Sequence, residues 1–186
     1  MHCVSLPLFE APHVAAHHCT ALTLCCGAWS QSLLHSLGDA YPLETERGYH
    51  LMFAAHSELS RSVMHMEKHL VLSPTDDGLR MTAGVELAGL NAPADFDWVR
   101  RKVDIARQML PSIELEEQST WLGFRPSLPD SNPVIGLHPR WPKLSLAFGH
   151  GHLGMTQSAA TGYLLAQAVQ GVAGDIPMHP YRADRF

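Results

Sequence analysis

Several absences bound this chain of 186 residues. It has no excess of basic residues: the formal net charge is −5, with 13 Lys and Arg against 18 Asp and Glu. That leaves no electrostatic footprint for nucleic acid as the main partner. Cysteine is scarce, and all four residues (Cys3, Cys19, Cys25, Cys26) fall in the first 26 positions with no C-x-x-C pair. This argues against a disulfide framework and for a reduced, cytoplasmic protein, with Cys25 and Cys26 read as buried thiols in an apolar run. No basic stretch followed by an apolar core opens the chain, so no signal peptide is expected. No apolar run reaches the roughly 18–20 residues a membrane helix needs, since the segment near 159–172 is interrupted by Gln167 and Gln170. G-x-S-x-G is missing, which removes the commonest serine-nucleophile signature.

What is present supports a packed core. Hydrophobic residues make up 46% and charged residues 17%, too apolar for a disordered chain. Thirteen histidines are spread along the sequence. His65 and His69 have i,i+4 spacing in a strand-like context, and His150 and His152 flank a glycine. Neither pair has a nearby third ligand, so no metal site is expected.

Residues 20–26, "TALTLCC", read as a short buried strand. "WSQSLLHSL" follows with helical spacing of Trp29, Leu33, Leu34 and Leu37, and Gly38 closes it as a cap. From Tyr41 the runs "ETERGYHLMFA", "MHMEKHLVLSP" and "GLRMTAGVELAG" are strand-like and separated by turn residues, which suggests an antiparallel meander. Residues 95–111 predict one helix, with an apolar stripe of Phe96, Val99, Val103, Ile105 or Ala106, and Leu110, ended by Pro111. "KLSLAFGH" reads as another buried strand, and a long helix is expected to begin at Gly154, its small early residues packed against a neighbour. The segment before residue 19 and the tail "HPYRADRF" carry no regular pattern.

Two features carry candidate chemistry. In "FGHGHLGMTQSAATG" a strand enters a loop with Gly149, Gly151 and Gly154 before a helix. Such a loop aims backbone N–H groups and a positive helix end at whatever lies above it. It serves equally well as a plain strand–helix connection. In "WLGFRPSLPDSNPVIG" Arg125 stands between an aromatic residue and a proline. Its planar fork suits a carboxylate ligand, or an acid of the chain such as Glu116 or Glu117.

Taken in order, "CCGAWSQSLL", "PLETERGYHLMF", "GLRMTAGVELAG", "WLGFRPSLPDSNPVIG", "LAFGHGHLGMTQSAATGYLLAQ" and "YRADRF" resemble successive motifs of the flavin-dependent D-amino-acid dehydrogenase, D-amino-acid oxidase and glycine oxidase family, across residues 20–186. The resemblance implies an α+β fold: part of an α/β FAD-binding layer (1–40 and 131–186) around an antiparallel-sheet substrate domain (41–130). It implies FAD as cofactor and oxidative deamination of a D-amino acid by hydride transfer to the flavin, with no side chain acting as general base. Arg125 takes the place of the arginine that binds the substrate carboxylate. Gly27, Ala28 and Trp29, together with Gly149, His150, Gly151, His152, Leu153, Gly154, Met155 and Thr156, take the place of flavin contacts. The tyrosine these enzymes set over the substrate has no counterpart, and His69 stands near its position.

The family's opening strand, G-x-G-x-x-G turn and ribose-binding acid have no match in the sequence. The chain is therefore expected to correspond to the C-terminal part of such an enzyme and to bind flavin weakly alone. Association with a separate N-terminal FAD-binding half is expected, at a cytoplasmic location or on the inner face of a membrane. The rival expectation is a non-catalytic interaction protein that keeps the substrate-domain fold.

Overall fold

The computed structural model describes residues 19–54 and 59–186, so Cys3 and the irregular lead-in lie outside the described residues. The chain has an α+β architecture and divides into two units, residues 1–44 with 125–186, and residues 45–124.

In the first unit, three strands form a sheet in the order β1–β9–β8. Strand β1 (Leu22–Leu24) runs parallel to β9 (Leu144–Phe148), with Leu24 beside Leu146. Strand β8 (Val134–Leu137) runs antiparallel to β9, with Val134 beside Phe148. Helix α1 (Ser30–Ser36) ends at Gly38, whose φ of +79° lets Gly38 and Asp39 N–H groups reach back to the His35 and Leu34 carbonyls. Leu34, Tyr41, Leu43, Leu128, Val134, Leu146, Phe148 and Ala183 share one core, with the Tyr41 and Phe148 rings edge to face at 5.3 Å. Asp39 fastens the end of α1 to the β8–β9 connection: its carboxylate accepts from buried His138 Nε2 at 2.9 Å and from Arg140 Nη2 at 2.7 Å. His138 Nδ1 accepts the backbone N–H groups of Arg140 and Trp141, which places the imidazole proton on Nε2.

The run 20–26 is not a buried strand throughout. Only Leu22–Leu24 are extended, only Leu24 of them is buried, and Cys19, Cys25 and Cys26 are exposed. Among the described residues β1 is paired on one side alone, and after Leu24 the chain leaves the sheet for a 3-10 turn at Gly27–Trp29. The thiols leave the sheet with it.

The second unit is an antiparallel sheet ordered β3–β4–β5–β2–β6, with β7 also paired to β2. Its strands are β2 (Glu44–Phe53), β3 (Val63–His65), β4 (Leu70–Thr75), β5 (Gly78–Ala83), β6 (Glu86–Leu87) and β7 (Glu117–Ser127), the last carrying the chain out of this unit. Alternation decides which face is buried. Tyr49, Leu51, Phe53, Leu70, Leu72, Leu79, Met81 and Ala83 form a core with Val99 and Ala106 of the helices.

Three runs that read as continuous are interrupted. "MHMEKHLVLSP" is a hairpin, because a 3-10 turn at Met66–Lys68 closes on His69, a non-glycine residue at φ +49°. "GLRMTAGVELAG" carries a bulge: Thr82 faces His50 and Glu86 faces Arg47, so three residues oppose two. Gly84 sits in that bulge at φ +57°, where a Cβ would stand 2.6 Å from the Trp98 ring. The expected single helix over 95–111 is two helices, α2 (Phe96–Arg100) and α3 (Val103–Met109). Asp95 caps the first through the Asp97 and Trp98 amides. The break is a tighter turn, with Lys102 N–H donating to the Val99 carbonyl. Lys102 is held there by its ammonium, 4.9 Å over Trp98 and 3.2 Å from the Lys68 carbonyl.

Candidate functional site

Because β1 and β9 are parallel and in register, the segments after Leu24 and after Phe148 leave the sheet from the same end. Ligands of open α/β sheets bind beyond the carboxyl ends of parallel strands, where loops diverge and backbone amides are free. Both glycine-containing segments singled out in the sequence emerge there.

The first is Gly27–Trp29. Gly27 has φ +56° and no atom within 4 Å of a would-be Cβ, Ala28 is buried, and Trp29 is 51% exposed. The second is the loop after β9. Gly149 (φ +84°) and Gly151 (φ +53°) both occupy the left-handed region that side chains resist. His150 between them turns inward, with Nε2 2.9 Å from Thr161 Oγ1, and burial pushes its pKa below the ordinary histidine value. Gly151–Leu153 form a 3-10 turn. Helix α4 begins only at Ser158 and runs to Gln170. The expected start at Gly154 and Met155 is thus corrected: the positive helix end lies at Ser158, because residues 154–157 continue from the 3-10 turn as turn residues before the helix begins. His152, Leu153, Met155 and Thr156 are exposed, Met155 at 92%, and Gly154 is half-buried. Ser158, Ala159, Ala160 and Gly162, expected to pack against a neighbour, are exposed as well.

Arg125 lies near the end of β7, two residues before Ser127, which bridges His150 in antiparallel fashion. The residues of the first unit therefore bring Gly27–Trp29, Arg125 and the loop 149–156 to one end of the sheet. Arg125 is half-buried, and its Nη1 is buried without a hydrogen-bond partner among the described residues. Glu117, one of the two acids that could have claimed it, is taken by Arg100, with Nη2–Oε1 at 2.7 Å and Nε–Oε2 at 3.0 Å. A buried guanidinium nitrogen left unpaired is costly unless a ligand or water completes it.

His69 belongs to the second unit, where its side chain is exposed and its carbonyl accepts from Gly84 N–H. That unit also holds a half-open cavity of about 390 Å³ lined by His50, Met52, Thr75, Asp77, Arg80, Gln118 and Ser119. His50 stacks on Trp121 at 5.1 Å, and burial, reinforced by Arg80, lowers its pKa.

Sequence reasoning missed the supports of the first site. Leu128 packs against Gly149, Thr161 holds His150, and Asp130 is gripped by Arg185. The "PDSN" turn and the "RADR" tail were visible, yet nothing in either string says that they meet. It also missed buried Arg47, whose guanidinium contacts Glu86 and the Pro93 carbonyl.

The donor set suits a large, flat, partly anionic ligand. Open space at Gly27 and Gly162, exposed apolar surface at Trp29, Leu153 and Met155, and an uncapped helix start offer room, stacking surface and amides. Fold and site together define the class as an α+β protein with two glycine-containing loops gathered at the carboxyl ends of a parallel strand pair. The chain belongs to the FAD dependent oxidoreductase (DAO) family, whose model matches residues 8–168. It is 41% identical over 176 residues to the D-amino-acid oxidase of Bradyrhizobium diazoefficiens, covering 90% of this chain and 41% of that protein. It is 33% identical over 158 residues to the D-amino acid dehydrogenase of Vibrio vulnificus, covering 81% of this chain and 37% of that one. Among solved structures, glycine oxidase from Geobacillus kaustophilus superposes with a TM-score of 0.78 at 25% identity, covering 91% of this chain and 46% of that one. The chain thus spans about two fifths of the length of the curated relatives it matches. Among the described residues no helix is long and apolar enough to cross a membrane.

Proposed function

We propose that this chain supplies the flavin-facing loops and the substrate-carboxylate arginine of an FAD-dependent enzyme that oxidises the C–NH2 group of D-amino acids. The observation that carries the reading is the buried Nη1 of Arg125, without a hydrogen-bond partner among the described residues, two positions before the Ser127 bridge to His150 in the glycine loop. The curated relatives named above, an oxidase and a dehydrogenase of D-amino acids, support the substrate class.

In this reading Arg125 receives the substrate carboxylate in bidentate fashion and so orients the α-carbon. Gly27, Ala28 and Trp29 on one side, and residues 149–156 on the other, cradle the cofactor. The glycines permit close approach of the backbone, and the start of α4 stabilises negative charge placed above it. The chemistry FAD supplies when bound is acceptance of a hydride from the α-carbon, leaving an imino acid that water hydrolyses. The edge of β1 that has no neighbour among the described residues is the surface on which a partner polypeptide with a dinucleotide-binding segment would add a strand.

The test is to mix the purified chain with FAD, alone and with the dinucleotide-binding half of a relative, and to follow quenching of flavin fluorescence. Dye reduction with D-alanine is then measured. Flavin binding and dye reduction that disappear in Arg125→Ala support the reading. Absence of flavin binding under both conditions sinks it and leaves a non-catalytic protein of this fold.

A further inference from the structure

Arg185, in the terminal "YRADRF", spends all three nitrogens of its guanidinium on groups of the first unit and has been given no part in the chemistry so far. Its side chain is only 14% exposed. Nε donates to Asp130 Oδ2 at 2.7 Å, and Nη2 donates to Asp130 Oδ1 at 3.3 Å and to the Asn132 carbonyl at 2.6 Å. Nη1 donates to the Arg182 carbonyl at 2.8 Å, and the Phe186 ring lies 4.5 Å beneath the guanidinium carbon. This use of the fork fixes direction as well as distance, which a lysine ammonium would not do.

What Arg185 holds is a turn that does not hold itself comfortably. Ser131 has φ +59°, an unfavourable angle for a residue with a side chain. Such a residue persists only where its surroundings fix it. Asp130 Oδ1 accepts the Asn132 N–H at 3.1 Å, and Ser131 N–H reaches the Leu128 carbonyl at 2.9 Å. The Arg185 guanidinium keeps the Asp130 carboxyl below its usual range, so the contact stays ionic at neutral pH. On the tail side Ala183 is buried in the same core as Leu128 and Val134.

The turn leads directly into the candidate site. Leu128 packs against Gly149, Ser127 bridges His150, and Arg125 is two residues further back on the same strand end. We propose that the C-terminal tail is a clamp on segment 125–132, with Arg185 a positioning residue that sets where the Arg125 guanidinium and the 149–153 loop stand. The consequence for ligand binding rests on the carboxylate-binding reading of Arg125, while the clamp itself does not.

Hydrogen exchange on the full chain tests the clamp without any ligand. In Arg185→Ala, amides of 125–131 and 149–153 should exchange about tenfold faster while those of β8 and β9 stay within about twofold, the mark of local rather than global opening. Asp130→Asn reads the same contact if Arg185→Ala fails to fold, because the asparagine oxygen still accepts the Asn132 N–H. Combining the two substitutions should add little beyond either alone. Unchanged exchange at 125–131, or an equal rise across β8 and β9, overturns the proposal, since the tail would then be inert or merely part of the core. Benzoate is the carboxylate probe for the separate reading of Arg125. Binding by the unaltered chain and its loss in Arg125→Ala uphold that reading, and Arg185→Ala should then weaken benzoate about tenfold, the effect of roughly one charge-assisted hydrogen bond. If the unaltered chain binds no benzoate, the carboxylate reading fails while the exchange data still judge the clamp.

Discussion

Leu128 packs so tightly against Gly149 that a Cβ on the glycine would stand 2.3 Å from Leu128 Cδ1, and the glycine's φ is +84°. Two independent reasons therefore require glycine at this position. Gly149→Ala is expected to destabilise the first unit by about 2–4 kcal/mol, combining left-handed strain with overpacking. The measurement is a denaturant midpoint at constant slope. Gly162→Ala, with nothing within 4 Å of its Cβ position and helical dihedrals, is the contrasting substitution. It should raise stability by about 0.5–1 kcal/mol.

Arg125 should show stability and binding moving in opposite directions. Its Nη1 is buried with no hydrogen-bond partner among the described residues, so Arg125→Met removes an unsatisfied buried donor. Replacement of such a group by an apolar side chain is commonly neutral or stabilising, by up to about 1–4 kcal/mol. Carboxylate affinity should fall by about 2–5 kcal/mol in the same variant. Calorimetry with benzoate, set beside thermal unfolding of the same samples, checks both signs. A variant that loses stability and keeps affinity would show that Arg125 is a structural arginine.

Strands β2 and β9 were legible in the sequence because local pattern and tertiary environment agree in those segments. The glycine loop and Arg125 were legible as unusual residue types in an apolar setting. What escaped depends on partners distant in sequence. The break between α2 and α3 is fixed by Lys102 reaching Trp98 and the Lys68 carbonyl, which helical periodicity over 95–111 cannot anticipate. Cys25 and Cys26 read as core because the run is apolar, but burial of a strand needs cover, and β1 has a described neighbour on one side only. Glu117 looked available to Arg125 from its proximity in sequence, yet Arg100, 17 residues upstream, holds it.

Arg47 anchors the second unit through a network that can be separated by mutation. Its side chain is fully buried, Nη2 donates to the Pro93 carbonyl at 3.0 Å, and Nε lies 3.2 Å from Glu86 Oε2. That last approach is an ion pair without hydrogen-bond alignment, so Nε and Nη1 have no hydrogen-bond partner among the described residues. Tyr49 Oη donates to the same Glu86 oxygen at 2.5 Å. Glu86→Ala should therefore cost about 3 kcal/mol, because it leaves a buried guanidinium without its counter-charge. Tyr49→Phe removes the hydrogen bond to a charged acceptor and the one Tyr49 Oη accepts from Asp95 N–H at 3.3 Å, and should cost about 1.5–3 kcal/mol. The double variant should cost less than the sum, since the two substitutions remove a shared contact. Urea unfolding of the three variants measures this directly.

Acid should weaken the protein through two histidines, and the sign follows from their environments. Burial lowers the pKa of His150, and burial together with Arg80 lowers that of His50. In the unfolded chain each titrates near the ordinary value of about 6.5, so just below that pH the unfolded state binds more protons than the folded state. Folding stability is then fully present above about pH 6.5 and declines as pH falls toward the depressed folded-state values. His150→Asn keeps a side chain able to hydrogen-bond Thr161 but does not titrate, so it should flatten part of this decline, and His50→Gln a further part. Chemical denaturation between about pH 5 and 7.5 decides the matter. A stability that rises as pH falls through that window would mean that both imidazoles gain rather than lose protons on folding, contrary to their burial.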